Sequence, residues 1–443
     1  MSIIALETNW HDQPVSWAVT RPETDCRVAV VGLGYVGLPT ALALAQAGHE
    51  VIGIDASEER IERIRAADVD LSSLDAARLA VALGRADFRI TGLASAMADA
   101  DVVIVCVPTP IDAHLLPDLR LLQTACAQVV DNVREGQLLV LTSTTYVGTT
   151  YDMLVNPLAE RGFIVGQNVN VAFSPERINP GVTTHAQDSV PRVIGGVTPA
   201  CASRAARVFG RIANSVHLAS STAVAELTKL YENTFRAVNI SLANEFASVC
   251  NELGVDVTEV LDAADTKPYG FMRFDPGPGV GGHCIPCDPH YLLWQLREHR
   301  VQMPVVEAAM RDIQNRPLEV ADRVLRLIAD QGIAPRNARV LIVGVAYKPD
   351  VEDVRESPAV EIVSRLVRAG VAVAAADPHV RSMRLPDGSA LTCSRLCDLD
   401  VTEFDVVLAH TLHQAEDLSL LEPATVVLDA TYRLPDVPGR VML

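Results

Sequence analysis

The chain has 443 residues, too many for one ordinary core, so two or three domains are expected. Hydrophobic residues make up 49% and charged residues 21%, which excludes a disordered chain and a coiled coil and suits α/β layers. A formal charge of -18 repels a phosphate backbone, so nucleic-acid and membrane-surface binding are excluded and an anionic ligand needs locally placed cations.

Residues 1–25 carry Glu7, Asp12, Glu23 and Asp25, two prolines and no apolar core of signal-peptide length. They read as an N-terminal arm on a cytoplasmic protein. Nowhere does an apolar run reach the roughly 18 residues of a membrane span. The nine cysteines are odd in number and scattered, which suits a reducing compartment, with most of them small buried hydrophobes.

From Cys26 the order is an apolar run CRVAVVG, glycines, a helical stretch LPTALALAQAG and a second apolar run EVIGID, a βαβ unit. ADVVIVCVP and QLLVLTST continue as strands, with LRLLQTACAQVVDNV at helical spacing between them. A parallel sheet covered on both faces is expected. Between Ser220 and Leu253 helical periodicity runs without Gly or Pro, predicting one helix of roughly 50 Å that joins two domains and offers a face to a second subunit. A Gly/Pro-rich stretch around 275–289 and another helical segment follow. ARVLIVGVAYKP then opens a second alternating unit, with VAVAAADP, DVVLAHT and TVVLDATY as later strands and SPAVEIVSRLVRAG helical. The fold class is therefore α/β: two Rossmann-like, doubly wound parallel-sheet domains joined by a long central helix.

The segment Gly32-Leu33-Gly34-Tyr35-Val36-Gly37 follows a strand, opens a helix and precedes a strand ending at Asp55. This is the context in which G-x-G-x-x-G binds a dinucleotide, its glycines admitting the pyrophosphate to the helix N-terminus. Asp55 would accept hydrogen bonds from a ribose and repel a 2′-phosphate, favouring NAD over NADP, although Arg60 stands nearby. The second unit's turn, Gly344 to Pro349, lacks this fingerprint. Lys348 and Arg355 beside it read as partners for phosphates or carboxylates, or as ordinary surface cations.

In Gly277-Pro278-Gly279-Val280-Gly281-Gly282-His283-Cys284-Ile285-Pro286-Cys287-Asp288-Pro289 the glycines and prolines impose a constrained loop. Cys284, with His283 beside it and Asp288 four residues on, reads as a nucleophile with acid/base support, and a cation such as Lys229 would favour its thiolate. A zinc site with His283 and His290, a Cys284–Cys287 redox pair and a structural cysteine remain open on this loop alone.

The segments VGLGYVGLP, CVPTP, STTYVGTT, SPERINPG, AELTKLYENTFRAVNISLANE, GPGVGGHCIPCDPHYL and AYKPDVEDVRESP make residues 26–435 resemble the UDP-glucose/GDP-mannose dehydrogenase family. The resemblance implies an NAD-binding domain at 26–218, a central helical dimer region with the catalytic loop at 219–318, and a nucleotide-sugar domain at 319–443. It implies a homodimer through the central helix and a nucleoside-diphosphate sugar oxidised with two NAD; no metal is expected, since no second cysteine pair with knuckle spacing accompanies the loop. The sugar C6 alcohol would be oxidised twice, through a thiohemiacetal and thioester on Cys284.

Carried over by motif, the catalytic set is Cys284, Lys229, Asn233, Asp288, Glu176 and Thr144. The cofactor set is Gly32, Gly34, Tyr35, Val36, Gly37, Asp55, Arg60, Thr109, Thr144 and Arg355. Glu176, Arg177, Lys229, Asn233, Gly281, Lys348 and Arg433 are implied on the substrate side. Asp288 and Glu176 remain alternatives for activating water. The chain departs from the family at Val147, often proline, and at Cys287, usually aliphatic. The loop form GGHCIPxDP resembles the N-acetylhexosamine branch more than the typical UDP-glucose branch, with glucose and either a uridine or a thymidine nucleotide still open. The rival readings are a two-electron hydroxyacid dehydrogenase and a non-catalytic zinc or redox module.

Overall fold

The computed structural model describes residues 26–177 and 189–443. The expected N-terminal arm at 1–25 and the end of the SPERINPG segment lie outside the described residues. The first sheet holds β1 (Arg27–Val31), β2 (Glu50–Ile54), β3 (Phe88–Thr91), β4 (Val102–Val105), β5 (Leu138–Leu141), β6 (Asn170–Phe173), β7 (Arg192–Gly196) and β8 (Val216–Ala219). Their order in space is β3-β2-β1-β4-β5-β6-β7-β8.

Side chains alternate faces along a strand, so an unbroken apolar run must be covered twice. Val28, Val30, Val102, Ile104, Leu138 and Val140 enter one core, and Ala29, Val31, Val103, Val105, Leu139 and Leu141 the other. The first six helices are α1 (Gly37–Gln46), α2 (Glu58–Arg65), α3 (Ser73–Leu83), α4 (Arg120–Asn132), α5 (Asn156–Glu160) and α6 (Pro199–Phe209). Of these, α1 and α6 cover one face and α4 the other.

Ser221 caps the next helix, α7 (Thr222–Leu253), by accepting a hydrogen bond from Val224, and Gly254, at φ +68°, ends it in the left-handed region. At 1.5 Å per residue its 32 residues span about 48 Å. One side is buried against the rest of the fold; the other leaves Tyr231 69%, Phe246 52% and Leu253 70% exposed. The central region continues with α8 (Val257–Asp265), α9 (Asp288–His299) and α10 (Pro304–Asp330).

The second sheet holds β9 (Arg339–Val343), β10 (Ala372–Ala376), β11 (Ser382–Arg384), β12 (Ala390–Ser394), β13 (Val406–Ala409), β14 (Val427–Asp429) and β15 (Arg440–Met442), with α11 (Pro358–Arg368) packed on it. The order is β11-β12-β10-β9-β13-β14-β15. Each sheet departs from all-parallel pairing once, at β6–β7 and at β11–β12. Antiparallel neighbours need no helical crossover, and at β11–β12 the reversal is made by the turn Pro386-Asp387-Gly388, with Gly388 at φ +87°. No described helix is long and apolar enough to cross a membrane.

The glycine-rich loop 277–289 packs against α10 and the second domain. Buried Arg316 of α10 donates to Gly277 O at 3.0 Å and to Tyr432 Oη at 3.1 Å. A Cβ on Gly281 would lie 2.6 Å from Tyr347 Cβ and 2.7 Å from Glu356 O, so only glycine fits there. Gly281→Ala is expected to destabilise the protein by about 1–3 kcal/mol through overpacking, read as a lower midpoint in thermal denaturation; an unchanged midpoint would show that the loop is not held this tightly.

Candidate active site

The turn after β1 is built around glycine. Gly32 has φ +87°, and a Cβ on Gly37 would sit 1.8 Å from Gly32 O, whereas one on Gly34 would meet nothing within 4 Å. The turn is thus pinned at both ends and open in the middle, where a pyrophosphate would lie against the N-terminus of α1. Asp55 accepts hydrogen bonds from Leu33 N at 2.8 Å and Ser57 N at 2.9 Å, which places its carboxylate beside the turn. Arg60 donates through Nε to Leu33 O at 3.0 Å and so braces the turn's backbone. These residues fit a dinucleotide.

The second domain reaches back to this turn. Arg355 forks onto Asp353, with Nη2 to Oδ2 at 2.6 Å, and its guanidinium lies 4.4 Å from the centre of the Tyr35 ring. The loops after β4 and β5 meet where Thr109 Oγ1 donates to Thr144 O at 2.6 Å. Buried Glu226 of α7 accepts from Gly148 N at 2.6 Å, Thr150 N at 2.9 Å and Thr150 Oγ1 at 2.6 Å, closing the turn that follows Thr144.

Cys284 stands one turn ahead of α9, its carbonyl accepting from Asp288 N at 2.8 Å. Cys284 is exposed, while Lys229, Asn233 and Asp288 are buried. Lys229 and Asn233 are four residues apart on α7 and face the same way. Asn233 Nδ2 donates to Asp288 Oδ2 in a short hydrogen bond.

Burial pushes the Asp288 carboxyl up to about 6, with Lys229 and the Asn233 hydrogen bond acting against it. Desolvation by the surrounding protein, then the Asp288 charge, holds the Cys284 thiol above its ordinary value; Lys229, Arg236 and Arg355 pull it down. Cys287 is buried, and that burial pushes its thiol up to about 12. His283 is pushed below the usual imidazole value by burial and then by Arg355.

The remaining expected residues separate into groups. Glu176 pairs with Arg192 at 2.6 Å and accepts from Arg177 N at 2.8 Å. Arg177 forks onto Glu232 and donates to Pro191 O at 2.8 Å. Half-buried Lys348 is pushed down to about 8 by burial and then by the charge of Arg236. Arg433 pairs with Asp275 at 2.6 Å, ahead of the glycine-rich loop. Arg236, absent from the expected set, acts electrostatically on both Cys284 and Lys348; its position three residues past Asn233 on α7 was the available signal.

Among the described residues, the ligand-like grouping is Asp350, His379 and His413, not the reactive loop. Both His413 nitrogens are engaged there, Nδ1 accepting from Asp350 N at 2.9 Å and Nε2 lying 3.1 Å from Asp377 Oδ2.

Three family models match in chain order. The NAD binding domain of the UDP-glucose/GDP-mannose dehydrogenase family matches residues 26–213, its central domain 223–314 and its UDP binding domain 341–432. The chain belongs to this family. The dehydrogenase is accordingly an NAD-dependent oxidoreductase of a nucleotide sugar.

It is 32% identical over 386 residues to a UDP-N-acetyl-D-mannosamine dehydrogenase of Methanococcus maripaludis, covering 86% of each chain. It is 36% identical over 359 residues to a UDP-N-acetyl-D-glucosamine 6-dehydrogenase of Pseudomonas aeruginosa, covering 80% of this chain and 83% of the relative. The structure of a UDP-D-ManNAc dehydrogenase from Pyrococcus horikoshii superposes with a TM-score of 0.84 at 30% identity, over 94% of this chain and 98% of that one.

Removing the Asp55 carboxylate should weaken NAD alone. Asp55→Ala is expected to raise the KM for NAD at least about tenfold, the worth of a hydrogen bond to a charged acceptor. The KM for the sugar nucleotide should stay within about threefold; a loss shared equally by both ligands would mean that Asp55 only braces the turn.

Proposed function

We propose that the dehydrogenase oxidises the C6 primary alcohol of a UDP- or dTDP-linked hexose, glucose or an N-acetylhexosamine, to the uronic acid in a four-electron reaction. The observation that carries this reading is an accessible Cys284 standing over the buried cluster of Lys229, Asn233 and Asp288. The substrates in the names of the relatives favour an N-acetylhexosamine.

The Gly32–Gly37 turn, Asp55, Thr109, Thr144 and Arg355 would hold NAD, and two NAD bound in succession would each accept one hydride, one per oxidation. Lys229 and Asn233 hydrogen-bond the C6 oxygen and stabilise the negative charge that develops on it. After the first oxidation Cys284 Sγ bonds to the aldehyde carbon, and the thiol proton ends on the former carbonyl oxygen. The resulting thiohemiacetal still carries a hydrogen on C6, so the second oxidation gives a thioester. Water then breaks the C–S bond, its oxygen entering the acid and the thiol being restored.

We assign activation of that water to Asp288, because Glu176 is taken up by its pair with Arg192. Lys348 and Arg433 stand on the nucleotide-sugar side with Gly281, Glu176 and Arg177. The domain divisions 26–218, 219–318 and 319–443 are retained in this reading. The exposed apolar face of α7 supports a homodimer through the central helix, and nine free cysteines suit a reducing cytoplasm.

With NAD and a panel of UDP- and dTDP-hexoses, the enzyme is expected to release two NADH per sugar oxidised. Cys284→Ser should form no uronic acid; one NADH per sugar in the wild type, or acid from the serine variant, would refute the covalent route. The Asp288 carboxyl is raised to about 6, so its basic form is lost as pH falls through that value. kcat should therefore show an acidic limb near pH 6. Asp288→Asn is expected to lower kcat by about 10²–10⁴, the usual worth of a general base, and to abolish the limb; a limb that survives the substitution belongs to another group.

A further inference from the structure

The helix that begins at Asp288 is tied to the cofactor side of the cleft at several points along one face. Three and seven residues beyond Asp288, Tyr291 and Gln295 lie on the same side of α9 as that carboxylate. Tyr291 Oη donates to Thr109 O at 3.0 Å. Gln295 spans 148 positions of sequence to Val147: its Oε1 accepts from Val147 N at 3.1 Å and its Nε2 donates to Val147 O at 2.7 Å. A primary carboxamide, with one acceptor and one donor side by side, is the side chain that pairs with both the N–H and the C=O of one residue in this way. Between them, Trp294 packs edge-on against Tyr146, with ring centres 5.6 Å apart.

These contacts join two parts of the site that the sequence keeps far apart. Val147 lies three residues past Thr144, whose carbonyl is held by Thr109. Gln295 lies two helical turns, about 10 Å, past Asp288 on a continuous helix. The helix is rigid along its axis, so a shift at Gln295 is passed to the thiol at its head.

We propose that Gln295 is a positioning residue for the second oxidation: its carboxamide clamp on Val147 sets the distance between the cofactor-side turn at Thr144 and Cys284. This rests on the covalent route proposed above. In the first oxidation C6 belongs to a free alcohol that can adjust within the cleft. In the second, C6 is bonded to Cys284 Sγ, so its alignment is fixed by whatever registers α9 against the turn. A misplacement of about 1 Å at a reacting centre costs on the order of a hundredfold in rate, and here it falls on one half of the reaction.

The test compares the wild type with Gln295→Leu, which fills similar space and pairs with neither group. The assay counts NADH per sugar consumed, with hydroxylamine present to trap free aldehyde as its oxime. Gln295→Leu is expected to lower kcat by about 10–100-fold, to leave the sugar-nucleotide KM within about threefold and to move the ratio from two NADH towards one, with oxime formed. Hydrogen exchange on the cofactor-free protein should show faster exchange at the Val147 amide and in the Cys284–Asp288 segment together.

A ratio that stays at two without oxime overturns the assignment, as does faster exchange confined to the turn around Val147. Should Gln295→Leu not fold, Gln295→Glu reads the same ratio, since it keeps the acceptor for Val147 N but sets a carboxylate oxygen against Val147 O. If the wild type itself yields one NADH per sugar, the covalent route fails, and the role of Gln295 in it fails for that separate reason.

Discussion

The contact between Asn233 on α7 and Asp288 at the head of α9 is the constraint on which the rest of the site depends. A carboxylate buried this deeply is stable only if its charge is met by hydrogen bonds and an opposite charge. The central helix supplies both, through Asn233 and Lys229. By fixing Asp288 it also fixes the preceding turn of chain, and with it Cys284. The packing of Arg316 and Tyr347 against the glycine-rich loop then leaves that turn little freedom to choose another path.

The electrostatics around Cys284 oppose one another. Desolvation and the Asp288 charge keep the thiol protonated at rest, while Lys229, Arg236 and Arg355 bring positive charge around it. Such an arrangement does little for the free thiol. On the proposed covalent route negative charge would develop beside these cations as sulfur adds to a carbonyl, where a preorganised field has its largest effect. The overall charge of -18 makes the local concentration of Lys229, Arg236, Lys348 and Arg355 the more necessary for a diphosphate-bearing substrate.

Much of this was legible in the sequence because the strands are covered on both faces. VVIV of β4 and LLVL of β5 are wholly buried, so they read as continuous apolar runs. The 32-residue α7 was readable from its period and from the absence of breakers. The strands β8, β11 and β12, at or next to a sheet edge, are only partly buried and lack that signal. The glycine turn and the Cys284 loop were legible because their chemistry is local. The clamps of Glu226 and Gln295 were not, since their partners lie 76 to 148 positions away and neither residue type announces a distant backbone partner. The stacking of Arg355 on Tyr35 was hidden for the same reason: it forms only when two separately folded sheets are brought together.

The central claim is that a carbon of the substrate becomes bonded to one sulfur. It is tested most directly by quenching the wild-type enzyme in acid during turnover at low pH, where Asp288 is protonated and thioester hydrolysis is slow, then mapping the digested peptides by mass. The account predicts a glycosyl-acyl adduct on the peptide that carries Cys284, released by hydroxylamine. Turnover with that peptide unmodified, or with the adduct on another residue, would contradict it.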